Sequence, residues 1–134
     1  MKRHDARIIL LELIFESGSR NDIAPAEIFE TAKNTRDIPE DPYIRDSFFG
    51  LLEKRDFIDQ TIETNAVGWR LDRMAKVSLA IMRVCVYEMF FVNDVPASVA
   101  INEAVELAKA FDHDAAPSFI NGVMNAVAKK NALL

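Results

Sequence analysis

The longest apolar stretch of the chain lies in residues 77–92, where only Arg83 and Glu88 interrupt the run from Ile81 to Phe91. Strands rarely exceed about ten residues, so a run of this length indicates a helix. Because apolar side chains point to nearly every side of such a helix, other elements must surround it. The pattern therefore predicts a central, buried helix.

A second pattern follows the break at residues 93–96. Apolar residues then recur at the i, i+3, i+4 and i+7 spacing of one helix face, at Ile101, Ala104, Val105 and Ala108. Polar residues occupy the opposite face, so this helix is predicted at the edge of the core. A buried helix joined by a short turn to an amphipathic one forms a helical hairpin, and we expect the other elements to pack around it.

Weaker helical patterns precede this hairpin. The apolar stripe that follows the cap signature Asp41-Pro42 loses its phase at Lys54 and restarts after Asp56. We therefore expect a break there, with Asp56 as the cap of a new helix. Further helices are predicted from His4 to Glu16, after Pro25 and from Pro117 to Lys130, with a short helical turn at Trp69 and Leu71.

These patterns together predict the fold class. No segment alternates between apolar and polar residues with the period of two that marks a half-buried strand. We therefore expect an all-α protein with about seven helices in two packed helical bundles. The 134 residues are expected to form a single domain, with subdomains at about residues 1–67 and 68–134.

Composition narrows the function classes. Charges interrupt the longest apolar run, so no membrane span is expected, and the N-terminus has no signal-peptide cleavage pattern. The single cysteine, Cys85, allows no internal disulfide, which favours a cytoplasmic protein. Two histidines and four glycines supply neither a zinc-ligand pair nor a phosphate-binding loop. We therefore expect no catalytic activity, no metal and no cofactor.

The charge distribution is uneven along the chain. The net charge is −5, yet residues 1–7 carry a net +2, which leaves −7 for the rest. Lys2, Arg3 and Arg7 lie at the predicted start of a helix, where the helix dipole disfavours cations. Arg3 and Arg7 are i, i+4 neighbours that could contact successive phosphates. The open alternative is an ordinary solvated terminus.

A second candidate site is the predicted loop that leads into the last helix. Its flanking aromatic residues, Phe111 and Phe119, could stack on unpaired RNA bases. Ser118 and the N–H groups of the first helical turn are available to an anion, whereas Asp112 and Asp114 would repel one. The alternative is that both phenylalanines anchor the loop to the core.

Two further features of the last helix, an asparagine pair and a glycine, are expected to reflect helix packing. Asn121 and Asn125 are four residues apart and either are exposed or close a polar contact between helices, of which we expect the second. Gly122 costs about 1 kcal/mol relative to alanine inside a helix. The close approach of another helix is the expected compensation.

Several segments of the chain carry a combined signature. They are W-x-L-D-R from Trp69, I-M-R-V-x-V-Y-E-M from Ile81, D-V-P from Asp94, V-A-I-N-E-A-V-E-L-A-K-x-F from Val99 and F-I-N-G-V-M-N from Phe119. Together these segments resemble the transcription antitermination factor NusB family. The resemblance runs from about Tyr43 to Lys130 and is weaker before it, where it rests on Ala6-Arg7 and the apolar helix that follows.

The resemblance implies an all-helical fold of two bundles without catalytic activity. It implies binding of the single-stranded boxA element of ribosomal RNA operon leaders, jointly with NusE, a small-subunit ribosomal protein. That complex would join RNA polymerase and suppress termination. The family's RNA-binding residues correspond here to Lys2, Arg3, Arg7, Phe111, Ser118 and Phe119, and the partner-binding residues to Asp72, Arg73, Lys76 and Ser78.

The chain departs from the family pattern at two places. The family usually has an acidic-basic pair where this chain has Ser78-Leu79. Ahead of the F-[IV]-N-G motif it often has an acidic residue, a serine and a basic residue, where this chain has Ala115-Ala116 and Ser118.

The leading hypothesis is an RNA-binding and protein-binding factor, in which the basic start and the aromatic loop form one RNA-binding surface. Two alternatives stay open. One is the RNA-binding module found in ribosomal RNA cytosine methyltransferases, and the chain has no cofactor-binding α/β pattern that would accompany it. The other is a protein-interaction module or homodimer without RNA binding.

Overall fold

The computed structural model describes residues 1–18 and 20–134. The described residues form seven α-helices and one 3-10 turn, and none of them lies in a β-strand. The predicted all-α fold with about seven helices is therefore confirmed. In chain order the elements are α1 (Arg3–Ser17), α2 (Pro25–Arg36), α3 (Pro42–Glu53), α4 (Arg55–Asn65), the 3-10 turn (Leu71–Arg73), α5 (Lys76–Phe91), α6 (Ala97–Phe111) and α7 (Ala116–Lys130).

The chain divides into two compact units, Met1–Glu53 and Lys54–Leu134. The division lies between α3 and α4, where the apolar stripe changes phase. It differs from the expected division near residue 67, because α4 packs against α5 and α7 of the second unit.

The start of α4 corrects one prediction. Lys54 occupies the N-cap position of this helix, and Asp56 lies in its first turn. The predicted break between the two helices is confirmed, but the prediction that Asp56 is the cap is wrong. The carboxylate of Asp56 still lies near the positive end of the helix dipole, where an acidic side chain is favoured.

In the first unit, α1 packs against α2 and α3. The rings of Phe29 and Phe48 have centroids 5.5 Å apart in its core. At the start of α3, the carboxylate of Asp41 accepts a hydrogen bond from the backbone N–H of Tyr43 at 2.8 Å, as the cap signature predicts. The large buried side chains of this unit are Leu10, Leu13, Ile14, Ile44, Phe48 and Leu51.

An exposed ion pair lies just ahead of this cap. The ammonium group of Lys33 donates a hydrogen bond to the carboxylate of Glu40 at 2.9 Å. This hydrogen bond, together with the charges of Lys33 and Arg45, holds the pKa of Glu40 below its ordinary value. The pair ties α2 to the residues that lead into α3.

The second unit is built around α5, as predicted. Every residue from Ala80 to Met89 is buried, and α4, α6 and α7 all pack against this helix. A short connection joins α5 to α6, which confirms the predicted hairpin. Although α5 is apolar, neither it nor any other helix of the described residues combines the length and hydropathy of a membrane span.

A charged residue of α5 is buried because α4 supplies its partner. The guanidinium of Arg83 donates two hydrogen bonds to the carboxylate of Asp59, from Nε at 2.7 Å and from Nη2 at 2.9 Å. Arg83 is only 7% exposed. Two parallel charge-assisted hydrogen bonds fix both the distance and the orientation of the two groups, so this pair joins α4 to α5 specifically.

Two predictions for α7 are wrong. The side-chain amide of Asn125 donates to the backbone carbonyl of Asn121 at 2.8 Å and to its side-chain oxygen at 3.1 Å, so this contact lies within one helix. Gly122 is exposed, and a Cβ there would meet no other part of the chain within 4 Å. Asn125 and Gly122 lie away from the buried face of α7. That face carries Ile120, Val123, Met124 and Val127.

Candidate nucleic-acid interface

Two cations begin α1 on the surface of the first unit. Lys2 occupies the N-cap position and Arg3 is the first helical residue, and both are exposed. The guanidinium carbon of Arg3 lies 4.3 Å from the centre of the Tyr43 ring, within the range of a cation–π contact. The cap at Asp41 holds the backbone of Tyr43, so α3 positions the ring on which Arg3 rests.

Arg7 also lies near the Tyr43 ring but is buried. Its guanidinium carbon is 5.9 Å from the centre of the Tyr43 ring, and the residue is only 2% exposed. Arg3 and Arg7 therefore share a contact, as their spacing suggests, but only Arg3 presents its charge to solvent. We call Lys2, Arg3, Arg7 and Tyr43 the basic patch.

Tyr43 was not predicted as a site residue from the sequence. The apolar stripe of α3 was visible, but no spacing rule shows that the first turns of α1 and α3 meet. The pairing of these two helices decides which side chains of α1 are covered. The burial of Arg7 is therefore a tertiary effect that a one-dimensional pattern does not contain.

The second unit presents aromatic residues around the connection between α6 and α7. Phe111 is the last residue of α6 and is 52% exposed. Phe119 lies in α7, close to its start, and is partly buried against Trp69, with ring centroids 5.5 Å apart in an edge contact. Ser118 precedes it and is exposed. We call Trp69, Phe111, Ser118 and Phe119 the loop site.

The alternative that both phenylalanines anchor the loop to the core fits only one of them. Phe119 contacts another ring of the unit, whereas about half of Phe111 is open to solvent. Trp69 was part of a sequence motif but was not predicted as a site residue. It is 50% exposed and adds a second accessible aromatic surface.

Asp112 does not face solvent as an exposed loop carboxylate would. Its side chain is only 3% exposed. One carboxylate oxygen accepts a hydrogen bond from the hydroxyl of Ser78 at 2.6 Å, and the other accepts one from the backbone N–H of His113 at 2.8 Å. Asp114 is exposed, so it is the carboxylate of this loop that is expected to repel an anion.

Three of the four residues that the family resemblance assigns to partner binding are exposed. Asp72 and Arg73 lie in the 3-10 turn, and Lys76 is the first residue of α5. The backbone N–H of Leu71 donates to a carboxylate oxygen of Glu63 at 2.8 Å, which fixes this turn to α4. We call Asp72, Arg73 and Lys76 the charged turn.

The fourth residue, Ser78, is placed differently. It is only 3% exposed, and its hydroxyl donates to Asp112 inside the second unit. A direct contact with a partner protein is therefore open to the three residues of the charged turn and not to this side chain.

The chemistry of these groups is that of binding. Exposed cations attract phosphate, accessible rings stack on bases, and the hydroxyl of Ser118 donates hydrogen bonds. Within residues 1–18 and 20–134, no group of three or more His, Cys, Asp or Glu side chains is placed to hold a metal ion.

Comparison with known proteins places this geometry in context. Residues 4–129 match the model of the NusB family. The transcription antitermination protein NusB of Bacillus pumilus (strain SAFR-032) is 42% identical over 127 residues, which cover 95% of each chain. Both matches span nearly the whole sequence.

Solved structures agree with these sequence matches. A structure of T. maritima NusB superimposes with a TM-score of 0.86 at 27% identity, and the match covers 97% of this chain and 92% of the T. maritima chain. A crystal structure of the antitermination factors NusB and NusE with double-stranded RNA gives a TM-score of 0.83 at 23% identity, over 97% and 99% of the two chains. The second match supports the fold alone.

Proposed function

Because this chain belongs to the NusB family, we propose that it is a transcription antitermination factor that binds RNA together with NusE. The similarity to an antitermination protein along 95% of both chains carries this proposal. The exposed rings and cations described above supply groups suited to RNA. In this proposal the RNA is the single-stranded boxA type, and the bound complex acts on RNA polymerase in the cytoplasm.

The basic patch is proposed to contact the RNA backbone. Lys2 and Arg3 are exposed and carry the positive charge that phosphates require. Arg7 is proposed to act through Tyr43, because its guanidinium is buried beside the ring that also supports Arg3. Its loss would then reduce RNA affinity by loosening Arg3 and the packing of α1 on α3.

The loop site is proposed to hold unpaired bases. Phe111 offers an exposed ring at a helix end, and Trp69 and Phe119 form a second, mutually supported aromatic surface. Stacking of a base on an aromatic ring is worth about 1 to 3 kcal/mol and tolerates any base. Ser118 lies in the same helical turn as Phe119, and its hydroxyl is proposed to donate a hydrogen bond to a phosphate oxygen.

NusE is proposed to bind at the charged turn. Asp72, Arg73 and Lys76 combine both signs of charge on an exposed segment, which favours a partner of complementary charge pattern. In the absence of NusE the same segment would be free to contact a second copy of the chain, so a homodimer is the competing state.

One experiment tests the proposal. Fluorescence anisotropy of a labelled boxA-like RNA is measured with and without purified NusE. We expect NusE to tighten RNA binding at least severalfold, and Phe111→Ala to weaken it by about tenfold, the loss of one stacked base. Phe15→Ala is the control, since Phe15 is an exposed ring of similar accessibility that lies outside the loop site.

The contrary result is equally clear. If the protein binds no RNA in either condition, it is a protein-interaction module or homodimer rather than an RNA-binding factor. Light scattering of the same samples then distinguishes the homodimer from a monomer.

A further inference from the structure

We infer that Ser78 is a positioning residue, which holds the carboxylate of Asp112 inside the second unit and thereby keeps a negative charge away from RNA bound at the loop site. This inference rests on the proposed function, because it concerns the site at which RNA is proposed to bind. It assigns Ser78 a role within the protein instead of a contact with NusE.

The geometry of the contact is that of a strong hydrogen bond. The hydroxyl oxygen of Ser78 lies 2.6 Å from the carboxylate of Asp112, across 34 residues of sequence. Hydroxyl donors to ionised carboxylates have distances of about 2.5 to 2.7 Å and are roughly twice as strong as neutral hydrogen bonds. The contact joins the first turns of α5 to the end of α6.

Both members of the pair are shielded from solvent. Ser78 is 3% exposed, and the side chain of Asp112 is also 3% exposed. The other carboxylate oxygen of Asp112 accepts the backbone N–H of His113 at 2.8 Å. The two hydrogen bonds offset the desolvation free energy of the buried carboxylate. Loss of one of them favours a conformation in which the carboxylate is exposed to solvent.

The position of Asp112 gives that movement a consequence. Asp112 directly follows Phe111, the exposed ring that ends α6. A carboxylate turned outward here would stand beside the base that stacks on Phe111 and near its phosphates. Two like charges about 4 Å apart in water repel by about 1 kcal/mol, which corresponds to roughly fivefold in affinity.

The test is a cycle of three variants, Ser78→Ala, Asp112→Asn and the double variant. RNA affinity is measured by anisotropy in the presence of NusE. Ser78→Ala is expected to weaken RNA binding about threefold to tenfold, because it releases the charge. Asp112→Asn is expected to bind RNA at least as tightly as wild type, and the double variant to bind within about twofold of it, because the group at position 112 is then neutral.

This rescue is what a merely structural role would not produce. A double variant that stays as weak as Ser78→Ala would overturn the inference, and so would a Ser78→Ala protein that binds RNA like wild type. Loss of NusE binding with unchanged RNA binding would return Ser78 to a partner-contact role. Ser98→Ala, an exposed serine near the start of α6, is the matched control and should match wild type.

A measurement without RNA separates this inference from the proposed function. The backbone N–H of His113 donates to the same carboxylate, so its hydrogen exchange reports whether Asp112 stays in place. We expect exchange at His113 to become at least severalfold faster in Ser78→Ala. An unchanged rate would show that Ser78 does not hold Asp112, whatever the protein binds.

Discussion

Gly122 lies on an exposed face of α7, where a Cβ would meet no other part of the chain within 4 Å. We expect Gly122→Ala to raise the free energy of unfolding by about 0.4 to 1 kcal/mol. Alanine restricts the unfolded chain, and the helix accepts its methyl group without strain. A higher midpoint of urea unfolding at an unchanged m-value would measure this gain.

Gly68 provides the matched control for this substitution. A Cβ at Gly68 is equally unobstructed, but the residue has φ of +83°, a conformation that L-residues rarely adopt. Gly68→Ala should therefore lower the free energy of unfolding by about 1 to 2 kcal/mol. If Gly122→Ala were also destabilising, this face of α7 would not be open in solution.

For individual residues, burial was predictable where the spacing of apolar residues defines the buried face of a helix. It was not predictable where a side chain of another element covers a polar residue. Arg7 and Ser78 carry polar groups, yet both are buried because side chains of other elements accommodate them. No spacing rule links residue 78 to Asp112. The sequence predicted which residues form this loop. It did not predict that the carboxylate of Asp112 is buried against Ser78.

Among the contacts between elements, the buried pair formed by Arg83 and Asp59 can be tested by a single substitution, which also removes the longer contact of Asp59 with Arg55 at 3.6 Å. Asp59→Asn keeps the size of the side chain but sets an amide N–H₂ against the guanidinium donors of Arg83. We expect the free energy of unfolding to fall by about 2 to 4 kcal/mol, because a buried charge loses its partner. Urea unfolding measures the loss.

Asp72→Asn is the control for that prediction. Asp72 pairs with Arg70 at 3.1 Å, but the two side chains are 63% and 75% exposed. Exposed pairs contribute about 0 to 1 kcal/mol, so this variant should unfold close to wild type. Equal losses for both carboxylates would mean that burial does not strengthen the contact between α4 and α5.

The positions of the helices along the chain were largely predictable, but which helices pack against each other was less so. Apolar runs and proline positions predicted α5, α6 and α7 because these helices bury wide faces and have clear starts. The assignment of α4 to the second unit was not predictable. A short amphipathic helix has one apolar stripe, and the stripe alone does not say which neighbour covers it.

On the scale of the whole molecule, the net charge of −5 opposes binding of any polyanion at long range. RNA binding must then depend on a few local cations and on stacking. These two contributions differ in their response to salt, because phosphate contacts release counterions and base stacking does not. The salt dependence of RNA affinity can therefore distinguish the basic patch from the loop site.

We expect Arg3→Ala to weaken RNA binding and to reduce the slope of log affinity against log salt by about 0.7, the value for one contact to a single strand. Phe111→Ala should weaken binding by about 1 to 3 kcal/mol at an unchanged slope, because it removes only stacking. Arg36→Ala changes the net charge by the same amount as Arg3→Ala, but Arg36 lies outside the basic patch, at the end of α2, where it pairs with Glu16 at 2.9 Å, so its slope should match wild type. Equal slopes for Arg3→Ala and Arg36→Ala would show that total charge, and not a phosphate contact at Arg3, sets the affinity.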